Sequence, residues 1–145
     1  VSVGSQLQIV TFEVGAVSFA LNISCIQEIN RSIQVTRVPH SHPEVLGVTN
    51  LRGEVITILD LHIGLGLSPS EKTSTSRNLI VKHDGELFGL GVDKVSDIMT
   101  ISSELSPPPA NLQGVSRKLL RGVHQAEDRL IMILDLDQVL RSHSA

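Results

Sequence analysis

Apolar residues at every second position predict β-strands along much of the chain. Residues 19–23 and 88–92 show this alternation, which places their apolar side chains on one face of an extended strand. Residues 55–59 and 130–134 are instead apolar on both faces, as expected of central strands that are buried on both sides. The pattern therefore predicts short strands of two kinds, half-buried and central.

Turn and helix-cap residues mark where these elements begin and end. Gly15 and Asp84–Gly85 precede the two alternating strands and favour tight hairpin turns. Asp60 can cap a short helical turn that ends at Gly64, because its carboxylate can accept from an unpaired backbone N–H. The segment 135–138 resembles a capping box, which predicts a short C-terminal helix.

The two halves of the chain repeat one another in sequence. Phe19 matches Phe88, and we call the number of positions between these two residues the first repeat spacing. Asp60 matches Asp135, and we call the slightly larger number of positions between them the second repeat spacing. The difference between the two spacings indicates a short insertion in the second half, which we place at the proline-rich segment 107–109. The chain therefore contains a duplicated unit.

We predict one domain over residues 1–145 with an all-β fold. Its duplicated subdomains have equivalent blocks at about 12–61 and 81–136, joined by an exposed polar connection at 68–77, and residues 107–114 form a long surface loop. Many short strands with Gly and Pro turns favour a sandwich or small barrels. Because one repeat alone would be too small to be stable, we expect two five-stranded barrels that pack together.

Composition and charge exclude several classes of function. The net charge is −3 and the chain has no Trp and no Tyr, so we expect no nucleic-acid partner. Cys25 is the only cysteine, which rules out an intrachain disulfide and is typical of a reducing compartment. No apolar run approaches the ~18 residues of a membrane span, and residues 1–7 do not resemble a signal peptide. We therefore expect no direct membrane insertion.

The densest motif of the chain lies between Val38 and Leu67. It holds a proline-flanked loop, the segment Gly47–Gly53 with the letters GVTNLRG, and a strand that ends in Asp60–Leu61. In this order the blocks resemble the CheW family, and the resemblance covers roughly residues 6–141. Further blocks that resemble the family are Gln27–Ile29, Val95–Ile98 and Leu130–Leu140.

The resemblance implies a cytoplasmic adaptor with two SH3-like barrel subdomains, no cofactor and no catalytic activity. Such an adaptor couples methyl-accepting chemotaxis receptors to a chemotaxis histidine kinase, and it is associated with membrane receptor arrays. The receptor's helical hairpin tip docks in a groove between the subdomains. The kinase contributes its own CheW-like regulatory domain, which has the same fold and pairs with the adaptor end to end.

The resemblance also implies that receptor-binding residues lie in and near the GVTNLRG segment. Asn50, Leu51 and Arg52 lie within it, and Ile26 and Glu28 lie upstream. The planar guanidinium of Arg52 can bind a carboxylate with two hydrogen bonds or cover the carbonyls at a helix end. Three of these residues also have a structural alternative. Arg52 can bond loop carbonyls of its own chain, Ile26 can be core, and Glu28 can be a solvated charge.

Patterns that would indicate catalysis or metal binding are weak. His40 and His42 could form a metal pair, but flanking prolines place them in a loop and no Cys or acidic cluster accompanies them. The glycine pairs at 64–66 and 89–91 lack the third glycine of a dinucleotide fingerprint. The carboxylates within 135–137 are explained as helix-cap residues. We therefore expect no enzyme activity and no bound metal.

Other functions are compatible with the same residues. The chain could be the CheW-like regulatory domain of the kinase itself, or part of an adaptor fused to a receiver domain, and the full open reading frame distinguishes these alternatives. A small-ligand binder or enzyme would need polar groups that converge in a pocket.

Overall fold

The chain folds into two β-sheets, and the predicted all-β class with a short C-terminal helix is confirmed. A computed structural model describes residues 5–31, 35–39, 43–67, 74–109 and 115–141. The strands are β1 (Gln6–Val14), β2 (Val17–Asn22), β3 (Ile26–Asn30), β4 (Val45–Leu51), β5 (Glu54–Asp60), β6 (Arg77–His83), β7 (Glu86–Val92), β8 (Lys94–Ser102), β9 (Leu120–Gln125) and β10 (Leu130–Leu134), and the α-helices are α1 (Leu61–Gly64) and α2 (Leu136–Arg141).

The local turn and cap signals form the predicted structures. Gly15–Ala16 and Asp84–Gly85 have φ between 50° and 81°, the left-handed backbone that two-residue hairpin turns require. The Asp60 carboxylate accepts from the backbone N–H of His62 at 2.9 Å in the first turn of α1. In α2 the Asp135 carboxylate accepts from the backbone N–H of Gln138 at 3.3 Å.

One predicted strand ends earlier than its apolar alternation suggests. Ile23 does not extend β2; it begins a one-turn 3₁₀ helix, Ile23–Cys25. The side chain of Asn22 accepts from the backbone N–H of Ser24 at 2.9 Å. This local bond offers the backbone an alternative to the strand ladder, so the period-two pattern is interrupted at Asn22.

Each sheet combines strands from both copies of the repeat. The first sheet has the order β8-β1-β2-β10-β9, and the second sheet has the order β3-β6-β7-β5-β4. Strands β1–β5 of the first copy correspond, in the same order, to strands β6–β10 of the second copy. If each strand is replaced by its counterpart, the order of one sheet becomes the order of the other. The blocks 12–61 and 81–136 are therefore units of sequence, and neither block forms a sheet by itself.

The pairing register repeats with the spacings found in the sequence. At the centre of the first sheet β10 runs parallel to β2, with Met132 opposite Phe19. At the centre of the second sheet β5 runs parallel to β7, with Thr57 opposite Phe88. The first repeat spacing relates the two Phe residues, and the second repeat spacing relates Thr57 to Met132. The two sheets thus have equivalent central ladders.

The edges of each sheet approach one another through a single isolated bridge. The segment after β3 meets β4 at Thr36–Val48, and the segment after β8 meets β9 at Ser106–Val123. Gly47 permits the first approach, because a Cβ there would overlap the carbonyl oxygen of Thr36. Since only one bridge joins the edges of each sheet in the described residues, we describe two sheets rather than the closed SH3-like barrels that we expected.

The main apolar core draws on both sheets. Phe12 and Phe19 of the first sheet stack with ring centroids 6.4 Å apart, and they belong to one buried cluster with residues of the second sheet. Each sheet also has a smaller buried cluster of its own. The central strands therefore have buried residues on both faces. Buried members of the main cluster from the second sheet are Leu59, Leu79, Val81, Leu90 and Val92.

Parts of two predicted surface segments lie outside the described residues. In the polar connection 68–77 these are residues 68–73, and in the loop 107–114 they are residues 110–114.

We expect the two halves of the chain to stay associated when the connection between them is cut. Ladders β1–β8, β2–β10, β3–β6 and β5–β7 each pair a strand of one half with a strand of the other. A protease site inserted between Leu67 and Ser74, then cleaved, should give two peptides that coelute in size-exclusion chromatography and separate only in denaturant. Peptides that separate without denaturant would contradict the exchange of strands between the sheets.

Candidate functional site

Arg52 lies at the tip of the tight hairpin between β4 and β5. Arg52 and Gly53 have φ values of 51° and 89°, so both central residues of the turn are left-handed. A Cβ at Gly53 would meet nothing within 4 Å, which shows that the backbone conformation, and not lack of space, favours glycine. The side chain of Asn50 accepts from the backbone N–H of Gly53 at 3.0 Å. The turn therefore holds Arg52 at a defined position, with 71% of its side chain exposed.

The structure brings Arg52 together with Glu28, a second predicted site residue. Nη2 of Arg52 donates to the Glu28 carboxylate on β3. Because β3 and β4 are opposite edges of the second sheet, this ion pair joins the two edges, as the Thr36–Val48 bridge does. Glu28 is thus part of an ion pair and not an isolated solvated charge, and Arg52 binds a carboxylate of its own chain.

A β-bulge sets the direction of the edge strand that carries Glu28. Ile26 lies opposite Val81 of β6, whereas Glu28, two residues later, lies opposite the adjacent residue Ile80. The extra residue, Gln27, makes the strand bend, and bulges commonly re-aim side chains at sheet edges.

The Arg52 guanidinium lowers the pKa of Glu28. The largest contribution is the hydrogen bond from Arg52, followed by one from the side chain of Asn30, and partial burial opposes both. A carboxylate that accepts hydrogen bonds in its charged form stays ionised to lower pH. This surface therefore carries a paired positive and negative charge at neutral pH.

The two apolar residues predicted for the site are partly buried. Ile26 packs against the main core, and Leu51 packs against the smaller cluster of the second sheet. The core alternative for Ile26 is therefore supported by its contacts. Asn50 and Arg52 are exposed, while Glu28 is half-buried.

Val55 and Ile29 are exposed apolar residues that the sequence analysis did not assign to the site. Val55 was expected in a central buried strand, but 72% of it is exposed. The parallel ladder of β5 with β7 begins only at Thr57, so Val55 pairs with Asn50 alone. Ile29 is 41% exposed beside Glu28. The position of Val55, two residues after Gly53 and so at the hairpin end of β5, was the available signal.

The described residues contain no group of three or more His, Cys, Asp or Glu side chains that could hold a metal ion. His40 and His42, the candidate metal pair, lie outside the described residues. His62 is buried, with its ring nitrogens 3.3 Å from Asp60 and 2.9 Å from Asp93.

The His62 contacts have a structural role. The carboxylate of Asp93 also accepts from the backbone N–H of Gly15 at 2.8 Å. This network joins the end of β5 to the β1–β2 turn, so it links the two sheets.

Burial raises the pKa of the Cys25 thiol, while Arg121 opposes the shift. A raised pKa keeps a thiol protonated, and the protonated form is a poor nucleophile.

The protein is all-β, and its two five-stranded sheets have matching strand orders. At one sheet edge, Arg52 of the β4–β5 hairpin forms an ion pair with Glu28. The family described as "CheW-like domain" matches residues 8–144. The chain belongs to the CheW family.

Individual relatives agree with this assignment over nearly the whole chain. Chemotaxis protein CheW of Rhizobium meliloti (strain 1021) is 36% identical and covers 93% of this chain, which covers 88% of that protein. Chemotaxis protein CheW of Helicobacter pylori is 32% identical, with coverages of 93% and 82%. The crystal structure of scaffolding protein TtCheW from Thermoanaerobacter tengcongensis superimposes with a TM-score of 0.83 at 27% identity, covering 90% of each chain.

Both α-helices of the described chain are much shorter than the ~20 residues a helix needs to cross a membrane.

We expect the Arg52→Ala substitution to raise the pKa of Glu28 towards the ordinary value of a glutamate, because it removes the largest cause of the lowering. The pKa is measured by following the Glu28 side-chain carboxyl in an NMR pH titration. The Arg141→Ala variant is the control, since Arg141 pairs with Asp137 and not with Glu28. An unchanged Glu28 pKa in Arg52→Ala would contradict the ion pair.

The lowered pKa of Glu28 also determines how the stability of the folded protein changes with pH. The pKa of Glu28 is lower in the folded protein than in the unfolded chain, so its ionisation favours the folded state. This contribution is present above the unfolded pKa and is lost as the pH falls through the folded pKa. The Arg52→Ala variant should therefore lose less stability than the unsubstituted protein over that acidic range.

Proposed function

We propose that this chain is a non-catalytic adaptor that couples methyl-accepting chemotaxis receptors to a chemotaxis histidine kinase. Membership of the CheW family and the similarity to a scaffolding protein support this role. It would act in the cytoplasm, associated with membrane receptor arrays. The alternative of a regulatory domain cut from the kinase is less favoured, because relatives at 32–36% identity are named chemotaxis protein CheW.

The observation that carries the proposal is the exposed, ion-paired Arg52 on a rigid turn. We propose Arg52, Glu28 and Asn50 as polar residues of the receptor-binding surface, with Ile26 and Leu51 as its partly buried support. A receptor tip built as a helical hairpin offers carboxylates and terminal carbonyls. A guanidinium has five N–H donors, so Arg52 can keep its bond to Glu28 and donate to a partner as well.

The ion pair with Glu28 also reduces the entropy that Arg52 would lose on binding. Long, flexible side chains lose conformational entropy when a partner fixes them. The Glu28 carboxylate and the tight turn already restrict Arg52 in the unbound protein. The arginine fork is therefore oriented before the receptor arrives.

We propose that the kinase binds elsewhere, at exposed strand edges and apolar sheet ends. Its CheW-like regulatory domain would have the same fold, and strand edges of like sheets can pair through main-chain hydrogen bonds. This division of surfaces makes the two binding events separable by mutation.

Replacing Arg52 with alanine should weaken binding of a receptor-tip fragment roughly tenfold or more, because a charge-assisted hydrogen bond is lost. Binding of the kinase regulatory domain should change little. Both affinities are measured by titration calorimetry, with a melting curve for each variant. Arg141→Ala is the matched control, since Arg141 is also about equally exposed (70% against 71%) and paired to a carboxylate.

Arg52→Lys should restore only part of the receptor affinity, since an ammonium lacks the planar fork. If Arg52→Ala lowers the melting temperature sharply and weakens both partners alike, Arg52 holds the fold and does not form the receptor contact.

Exchanging the two charges separates docking from stability more sharply. The double variant Glu28→Arg with Arg52→Glu keeps an ion pair between the sheet edges but moves the cation from the turn to β3. We expect a melting temperature close to that of the unsubstituted protein and receptor binding still weakened by roughly tenfold. Full receptor affinity in the exchanged variant would show that the pair acts only by joining the edges.

A further inference from the structure

A second ion pair occupies the equivalent place in the first sheet. Nη2 of Arg129, just before β10, lies 3.2 Å from Oδ2 of Asp97 on β8. Asp97 follows Glu28 at the first repeat spacing, the one that relates the two Phe residues. The arginines are not at equivalent positions, because the second repeat spacing relates Arg129 to Glu54 and not to Arg52. The two sheets therefore reach the same pairing from different arginine positions.

The bulge that carries the carboxylate is also repeated. In the ladder of β8 with β1, the register shifts between Phe12, opposite Val95, and Val10, opposite Ile98. In the first sheet a buried hydroxyl reinforces this bulge. Oγ1 of Thr11 accepts from the backbone N–H of Asp97 at 2.9 Å and donates to its carbonyl at 3.2 Å.

The two ion pairs differ in which partner is shielded from water. The exposed fractions are 71% for Arg52 and 27% for Glu28, but 27% for Arg129 and 62% for Asp97. The shielded arginine also belongs to a closed turn, because its carbonyl accepts from the backbone N–H of Ala126 at 2.9 Å. Arg129 is therefore less available to an incoming partner than Arg52.

We infer that Asp97 and Arg129 are a positioning pair that holds the β8 edge of the first sheet against the β9–β10 hairpin. Among the described residues, one isolated backbone bridge, Ser106–Val123, joins the edges of this sheet, and apolar side chains of β8 and β10 share a buried cluster. The bulge and the hydroxyl of Thr11 fix the backbone of Asp97, and Arg129 fixes its carboxylate. The pair thereby sets the position of the neighbouring Ile98, which is 61% exposed.

The assignment is independent of the proposed receptor contact at Arg52. It concerns the other sheet, and it predicts an effect on the free protein without any partner.

The test is amide hydrogen exchange of full-length variants, followed by NMR under native conditions. Asp97→Asn and Arg129→Gln should each speed exchange of the β8 amides at 95–99 by about two- to fivefold, the range expected for a partly exposed ion pair. The double variant should exchange no faster than the faster single variant, because the two substitutions remove one interaction. Amides of β3 in the second sheet should be unchanged.

Two controls keep the result specific. Asp137→Asn with Arg141→Gln removes an ion pair on α2, and it should leave the β8 amides unaffected. Raising the salt concentration should reduce β8 protection more in the unsubstituted protein than in the double variant, since the double variant lacks the ion pair that salt would screen. The salt response of the unsubstituted protein can be measured even where a substitution is poorly tolerated.

Either of two results would overturn the inference. One is a β8 exchange rate that does not change in either single variant and does not respond to salt. The other is a double variant in which the two accelerations multiply, which would mean that Asp97 and Arg129 act separately.

Discussion

The parallel ladder at the centre of each sheet is the interaction on which the rest of the structure depends. Parallel strands cannot be joined by a tight turn and need a long connection. Here residues 23–129 connect β2 to its parallel partner β10, and residues 61–85 connect β5 to its parallel partner β7. These ladders place Phe19 and Phe88 at the centres of their sheets. Each ladder pairs one strand from each repeat, so neither repeat could form it alone. The hairpins and edge strands are positioned relative to these ladders.

The ion pairs lie at the sheet edges, away from these central ladders. An edge strand has unpaired backbone groups and can bulge without breaking an inner ladder. Both copies carry such a bulge, and in both a carboxylate from the edge meets an arginine of a hairpin. The arginine is mostly exposed in one pair and mostly shielded from water in the other. Each sheet therefore has an ion pair at its edge, formed from arginines at different repeat positions and with different exposure.

Sequence patterns predicted the local features well because their causes are local. Hairpin turns, helix caps and strand alternation depend on residues within a few positions of one another. The Asp84–Gly85 turn, the Asp60 cap and the alternation over residues 88–92 were all visible in this way. The family resemblance rested on the same short blocks, and the match over residues 8–144 confirmed it. The receptor-binding role of individual residues stays a prediction.

Only the tertiary structure decided which elements meet. Repeat spacing shows that two segments are alike, but it does not say whether a strand pairs with its own copy or with the other. The sequence did not predict that Arg52 pairs with Glu28, because Glu28 lies 24 residues away on the opposite sheet edge. Val55 is exposed, although its own sequence suggests burial, and it precedes Thr57, where the ladder of β5 with β7 begins. The sequence by itself determined the turns, caps and repeated unit; hydrogen bonds between distant strands determined the sheets and the surface they present.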